Sequence, residues 1–296
     1  MREVTEAHYL HERHGLEAVL RPPVRMPTAL CWIPKKEKLV VGTRSGELHT
    51  VDPIMGVRVV ARDLGEPARV CIHEDKTTYL CVSRNGRWTV GQIGGDKQYT
   101  GKHGFLGGVA AFWLGNNVVL MGDEMDSRRL MVINKGKVRL SAKLPERVIA
   151  MPDDNTKNAL QLARSTPKGL SVIKLGKQRF EKGLPSTVHR LIHSGEYVLG
   201  ITPTGVVVWN RAGGTPKSMR LPDLTVGEIS RDGKYLGLGT RSGAVALARI
   251  DEKEKRIHPD LVKAFDGPVT SVAFSQRGRW LATGGTEHLQ IWSWED

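Results

Sequence analysis

Basic side chains recur at one kind of place in this sequence. Arg44, Arg84, Arg128 with Arg129, Lys168 and Arg241 each follow a short apolar run and stand at a turn, as in GTRSG at 42–46 and again at 239–243, or SRNG at 83–86. A guanidinium or ammonium repeated this way can pair with carboxylates or phosphates, most strongly where several bases converge. Arg-Ser-Gly and Arg-Asn-Gly are also good turn sequences in themselves, so a solvated role competes with a binding one. Recurrence at five places exceeds what scattered solubility charges need.

Other reactive side chains form no comparable set. His8, His11 and His14 share a spacing that a helix would line up, but no further ligand cluster accompanies them, so a polar tail or partner-binding helix is the better reading. Asp153 with Asp154, and Asp123 with Glu124, read as loop charges. The chain has no G-x-S-x-G elbow, no G-x-x-x-x-G-K-[ST] phosphate loop and no H-E-x-x-H motif. Gly94-Gly95 and Gly213-Gly214 fit strand-connecting turns, because no helix follows to present amides to a phosphate. No catalytic, cofactor-binding or metal-binding residue is therefore assigned, and no cofactor is expected.

The three cysteines are an odd set, and Cys31 and Cys71 fall at equivalent places in a repeat. They read as small core residues in a reducing compartment, which places the chain in the cytoplasm. The opening segment lacks the apolar stretch of a secretory signal, and no run approaches the ~18 apolar residues of a spanning helix, so no membrane association is expected.

Composition sets the scale of the elements that must carry these bases. The chain has 296 residues, with 44 Lys+Arg against 31 Asp+Glu for a formal charge of +13, and 40% hydrophobic residues. A length of this order buries roughly three quarters of the unfolded surface and needs no disulfides. The 33 glycines and 15 prolines demand many turns.

Those turns recur with a period. The two GTRSG segments are separated by close to five repeats of about 40 residues. Apolar runs followed by a turn appear at 39–51, 80–90, 119–133, 160–173, 198–209, 236–247 and 281–292. Each follows another alternating run, such as ARVCIH at 68–73, LTVGEIS at 224–230 and VTSVAFS at 269–275. Alternation with period two marks strands, and helical spacing is nowhere sustained. With a further extended piece in several units, such as 56–64 and 136–144, the pattern predicts an all-β, seven-bladed β-propeller of four-stranded antiparallel blades.

The last unit, FDGPVTSVAFSQRGRWLATGGTEHLQIWSWED, resembles a WD40 repeat, with its strand ending in Trp292; ISRDGKYLGLGTRSG at 229–243 follows the same pattern, and GVVVWN at 205–210 supplies a second terminal tryptophan. The signature dipeptide is degraded to Trp209-Asn210, Trp292-Ser293 and Val51-Asp52, and no Gly-His precedes a first strand. Apolar packing must therefore replace much of the hydrogen-bond network of the family's blades. Trp32, Trp88, Trp113, Trp209, Trp280 and Trp292 fall within predicted strands and read as core, whereas Trp294 reads as exposed.

Residues 1–14 are read as an extension and 15–296 as one propeller. Because the last unit ends after its third strand, residues 16–24 are predicted to complete the seventh blade. The resemblance implies that the turns bearing the bases open on the narrow face of the ring, where partners commonly dock. Three functions stay open: a noncatalytic protein-interaction scaffold within a hetero-complex, docking an acidic surface or peptide; a nucleoprotein component touching nucleic acid backbone without sequence preference; and a propeller enzyme with a channel site, for which no catalytic motif speaks.

Overall fold

The alternating runs form short strands, and the Gly-centred turns between them are tight enough to pair each strand with the next. The computed structural model describes residues 16–52, 55–96, 98–124, 127–144, 148–152, 160–166, 169–174, 188, 190–194, 197–210, 215–230, 232–250, 259–276 and 279–294. Among them every regular element is a strand, and the strands fall into seven antiparallel sheets, six of four strands and one of three.

Blade 1 consists of Pro27–Trp32, Leu39–Thr43, Leu48–Asp52 and Gly56–Ala61, and blade 2 of Pro67–Ile72, Thr78–Ser83, Arg87–Gln92 and Gln98–Lys102. Blade 3 runs Gly107–Leu114, Asn117–Asp123, Arg128–Asn134 and Lys137–Leu144. Blade 4 shows Val148–Pro152, Leu160–Thr166 and Gly169–Lys174; blade 5 shows Arg190–Ser194, Tyr197–Thr202, Gly205–Asn210 and Lys217–Arg220. Blade 6 has Leu224–Ile229, Tyr235–Thr240, Ala244–Arg249 and Pro259–Lys263. In blade 7, Ser271–Phe274, Trp280–Gly284 and Leu289–Ser293 are joined by Glu17–Leu20 as outer strand.

First strands of most neighbouring blades pack side by side, blade 1 touching both blade 2 and blade 7, and blades 3 and 4 meet through their apolar side chains, so the ring closes around a channel. The core is correspondingly a circle of clusters between sheets. Val40 and Leu48 of blade 1 meet Val70 and Tyr79 of blade 2, and Leu80 and Trp88 of blade 2 meet Leu120 and Ile133 of blade 3. A larger cluster joins blades 3, 4 and 5 through Met121, Leu162 and Trp209. Each fully buried aliphatic of this kind contributes about 1.5–3 kcal/mol, which makes the stack of blades the main source of stability.

Closure is secured twice. Glu17, Ala18 and Leu20 pair antiparallel with Ser293, Trp292 and Ile291. Between blades 1 and 7, Trp32 Nε1 donates to Ala273 O at 2.9 Å and Thr270 Oγ1 to Pro27 O at 2.9 Å. The seventh blade also keeps part of the hydrogen-bond network its sequence suggests, with Trp292 Nε1 donating to Thr283 Oγ1 at 2.7 Å.

One expectation is corrected and one is refined. Trp294 is buried, its ring centroid 5.5 Å from Tyr235 and 5.7 Å from Phe274, because the neighbouring sixth blade supplies a wall that the local sequence does not reveal. Cys31 and Cys71 do pack against the apolar clusters between blades 1 and 2 and between blades 2 and 3, but they are only partly buried and also line the channel, whereas the Cys81 thiol is buried. Residues 1–14 lie outside the described residues.

Candidate functional site

Three of the basic turns are built alike. The amide of Arg44 donates to Met26 O at 3.0 Å, that of Arg84 to Glu66 O at 2.9 Å and that of Arg241 to Asp223 O at 2.8 Å. In each case the acceptor lies just before the first strand of the same blade, so the turn is tied to the chain entering that blade. Behind it, the hydroxyl ending the second strand reaches two residues ahead: Thr43 Oγ1 to Ser45 Oγ at 2.8 Å, Ser83 Oγ to Asn85 Oδ1 at 2.6 Å, and Thr240 Oγ1 to Ser242 Oγ at 2.9 Å. Gly46, Gly86 and Gly243 then take φ of 85°, 85° and 90°, a conformation that a side chain would strain. The arginine side chains are therefore exposed from rigid mounts on one face of the ring.

The partners of these arginines differ. Arg84 reaches Glu66 Oε1 at 3.2 Å, an exposed pair of little energetic weight. Arg44 and Arg241 have no ion-pair partner among the described residues. Blade 2 adds a residue that sequence reasoning missed: Phe105 N–H donates to His103 Nδ1 at 3.3 Å, and His103 Nε2 lies 3.0 Å from Ser83 O. With Nδ1 accepting, Nε2 carries the proton and donates, and burial holds the pKa of the ring below its ordinary value. His103 thus clamps the turn as a neutral side chain. The signal was a histidine shortly before the first strand of blade 3, preceded by Lys102 instead of glycine.

Arg128 and Arg129 are placed differently. Both open the third strand of blade 3, past the turn, with Arg128 opposite Asp123 in the pairing. Arg128 is 8% exposed; its Nε and Nη2 hold Asp123 at 2.5 and 3.3 Å, and its Nη1 donates to Val148 O of blade 4 at 2.9 Å. Arg129 forms the same fork on Glu124, at 2.6 and 3.3 Å, and donates to Ser141 Oγ at 3.0 Å. Asp123 and Glu124, read from the sequence as loop charges, are therefore structural partners. Lys168 lies outside the described residues.

The channel holds a second group of polar side chains. First strands of blades 1, 2, 6 and 7 enclose a cavity of about 220 Å³ lined by Cys31, Arg69, Cys71, Glu228, Phe274 and Gln276 among others. Arg69 and Glu228 come from blades that are not neighbours, and no contact ion pair joins them. Arg69 Nε is buried with no hydrogen-bond partner among the described residues, although the guanidinium elsewhere interacts with the Cys71 thiol. Burial pushes the Glu228 carboxyl up to about 7, against the opposing pull of Arg69 and a hydrogen bond from the Phe274 amide. Burial, reinforced by Cys71, pushes the Cys31 thiol up to about 12, and burial raises Cys71 as well, so both stay protonated and unreactive near neutrality. The available signal was a charge within an otherwise apolar or small first strand, Arg69 in ARVCIH and Glu228 in LTVGEIS.

No protein-family model and no curated protein matches the chain. Among solved structures, the crystal structure of the WD40 β-propeller domain of Doa1 matches it with a TM-score of 0.71 at 13% identity, over 95% of this chain and 97% of that one. Seven antiparallel sheets around a channel, a final blade closed by the strand Glu17–Leu20, and this likeness over nearly the full length show that the chain has the WD40 β-propeller fold.

Proposed function

We propose that the chain is a noncatalytic docking platform, a subunit of a multiprotein assembly that presents Arg44, Arg84 and Arg241 to an acidic surface or peptide of a protein partner. The observation that carries this reading is the identical mounting of the three exposed side chains: each turn is fixed by the same backbone bond and the same hydroxyl contact. A preorganised base loses little entropy when it meets a carboxylate, which is where the affinity of a rigid face comes from. Blades 6, 7, 1 and 2 are consecutive around the ring, so the three arginines lie along one arc. Arg128 and Arg129, each already forked on a carboxylate, contribute to the ring and not to the face.

Affinity purification of the tagged chain from its native cells, with and without nuclease, tests the class of partner. A protein partner should be retained equally in both samples. Loss of all co-purifying protein on nuclease treatment would instead mean that the positive charge is spent on nucleic acid backbone, and binding should then weaken steeply with salt.

A further inference from the structure

The channel cavity presents opposite charges that do not meet. Arg69 reaches in from blade 2 and Glu228 from blade 6, both partly buried at the channel wall, yet neither neutralises the other by contact. A buried guanidinium nitrogen without an acceptor is costly, since a polar group taken out of water normally finds a partner. Blade 7 contributes Ala273, Phe274, Ser275 and Gln276 to the wall, and blade 1 contributes Leu30, Cys31 and Trp32, so no further formal charge competes for either group. With protonated thiols, the remaining wall is polarisable and largely uncharged.

From this arrangement we infer that the channel cavity binds a small zwitterion of the amino-acid class, its carboxylate on Arg69 and its ammonium on Glu228. One molecule then satisfies both channel charges and brings none in excess. The volume of about 220 Å³ falls below the ~300–1,000 Å³ of clefts for drug-sized ligands, which favours amino acids with short side chains. Charge-assisted hydrogen bonds at both ends give selectivity for the doubly charged form, because blocking either end leaves one channel charge unmatched. The ammonium requires Glu228 ionised, so affinity rises with pH across neutrality; the charged and titratable groups facing Glu228 are Arg69, Cys31 and Cys71. This inference is independent of the arginine face.

The test is calorimetric titration of the intact chain with glycine, alanine, serine and β-alanine, each beside its N-acetyl and its carboxamide derivative. At least one free amino acid should bind saturably, with both derivatives roughly tenfold to a hundredfold weaker. Glu228→Gln should bring the free amino acid and its N-acetyl derivative to the same affinity, and Arg69→Gln should do so for the free amino acid and its carboxamide. Should either variant fail to fold, the comparison of free and blocked ligands on the unaltered chain still decides. No binding of any free amino acid at about 10 mM, well above the ~1 mM that corresponds to a weak site, would overturn the inference. Equal binding of free and blocked forms would overturn it as well.

Discussion

In blade 1 the turn arginine, Arg44, stands exposed and without an ion-pair partner among the described residues, whereas in blade 3 Arg128 is buried, forked on Asp123 and bonded across to Val148 of blade 4. Both follow the second strand of a blade, and both look alike in a sequence. The difference lies in what precedes them. GTRSG makes a tight turn whose own hydroxyls and glycine satisfy its backbone, freeing the side chain. In GDEMDSRR the acids ending the second strand face the bases opening the third, so the charges are consumed within the sheet. A basic residue is available to a partner only where the surrounding turn needs nothing from it.

Changes to the turns should separate the two uses. The largest effect is expected at Gly243, where φ is 90° and a Cβ would come within 2.0 Å of Phe265 O. Gly243→Ala should cost about 3 kcal/mol or more, read as the shift of the denaturation midpoint. Gly46→Ala, with its nearest contact 3.1 Å from Gly65 N, should cost about 1–2 kcal/mol. If both were neutral, the turns would not be the rigid mounts described.

Arg128→Ala comes next. It removes the bond to Val148 O and the fork on Asp123, and should lower stability by about 2 kcal/mol, whereas Arg44→Ala should stay within about 0.5 kcal/mol. A destabilisation of equal size at both positions would erase the contrast between blades 1 and 3. The tryptophans offer a parallel contrast between blades 5 and 7. Trp209 packs over Gly200, where an added Cβ would lie 2.6 Å from the indole, and its Nε1 has no hydrogen-bond partner among the described residues. Gly200→Ala should therefore cost about 1–3 kcal/mol by overpacking, while Trp292→Phe, which loses the Thr283 bond, should cost about 1 kcal/mol.

A different kind of effect is a slope with pH. The folded pKa of Glu228, at about 7, lies above its ordinary value of 4.5, so between those values the folded chain holds a proton that the unfolded chain has released. Stability should consequently fall as pH rises through that window. Glu228→Gln should remove this contribution, and an unchanged profile would mean that the carboxyl is well hydrated in the channel.

Much of the ring was legible because strand alternation and turn chemistry are local. VTSVAFS alternates on its own, GTRSG specifies its turn on its own, and a final unit with only three strands called for a fourth from elsewhere, which Glu17–Leu20 supplies. What escaped depends on neighbours around the ring. Trp294 is covered by Tyr235 of another blade, Arg128 is fixed by Val148 of another, and the meaning of Cys31, Cys71, Arg69 and Glu228 arises only when four first strands converge. A repeat reads well along the chain and poorly across it, since inter-blade contacts join residues one or more periods apart.

The most direct test of the docking account is reversal of all three exposed arginines, Arg44→Glu, Arg84→Glu and Arg241→Glu together, with co-purification of the partner and the thermal transition measured on the same protein. The account requires loss of the partner with the transition essentially unchanged, because these side chains carry little of the fold. Full retention of the partner by a folded triple variant would contradict it.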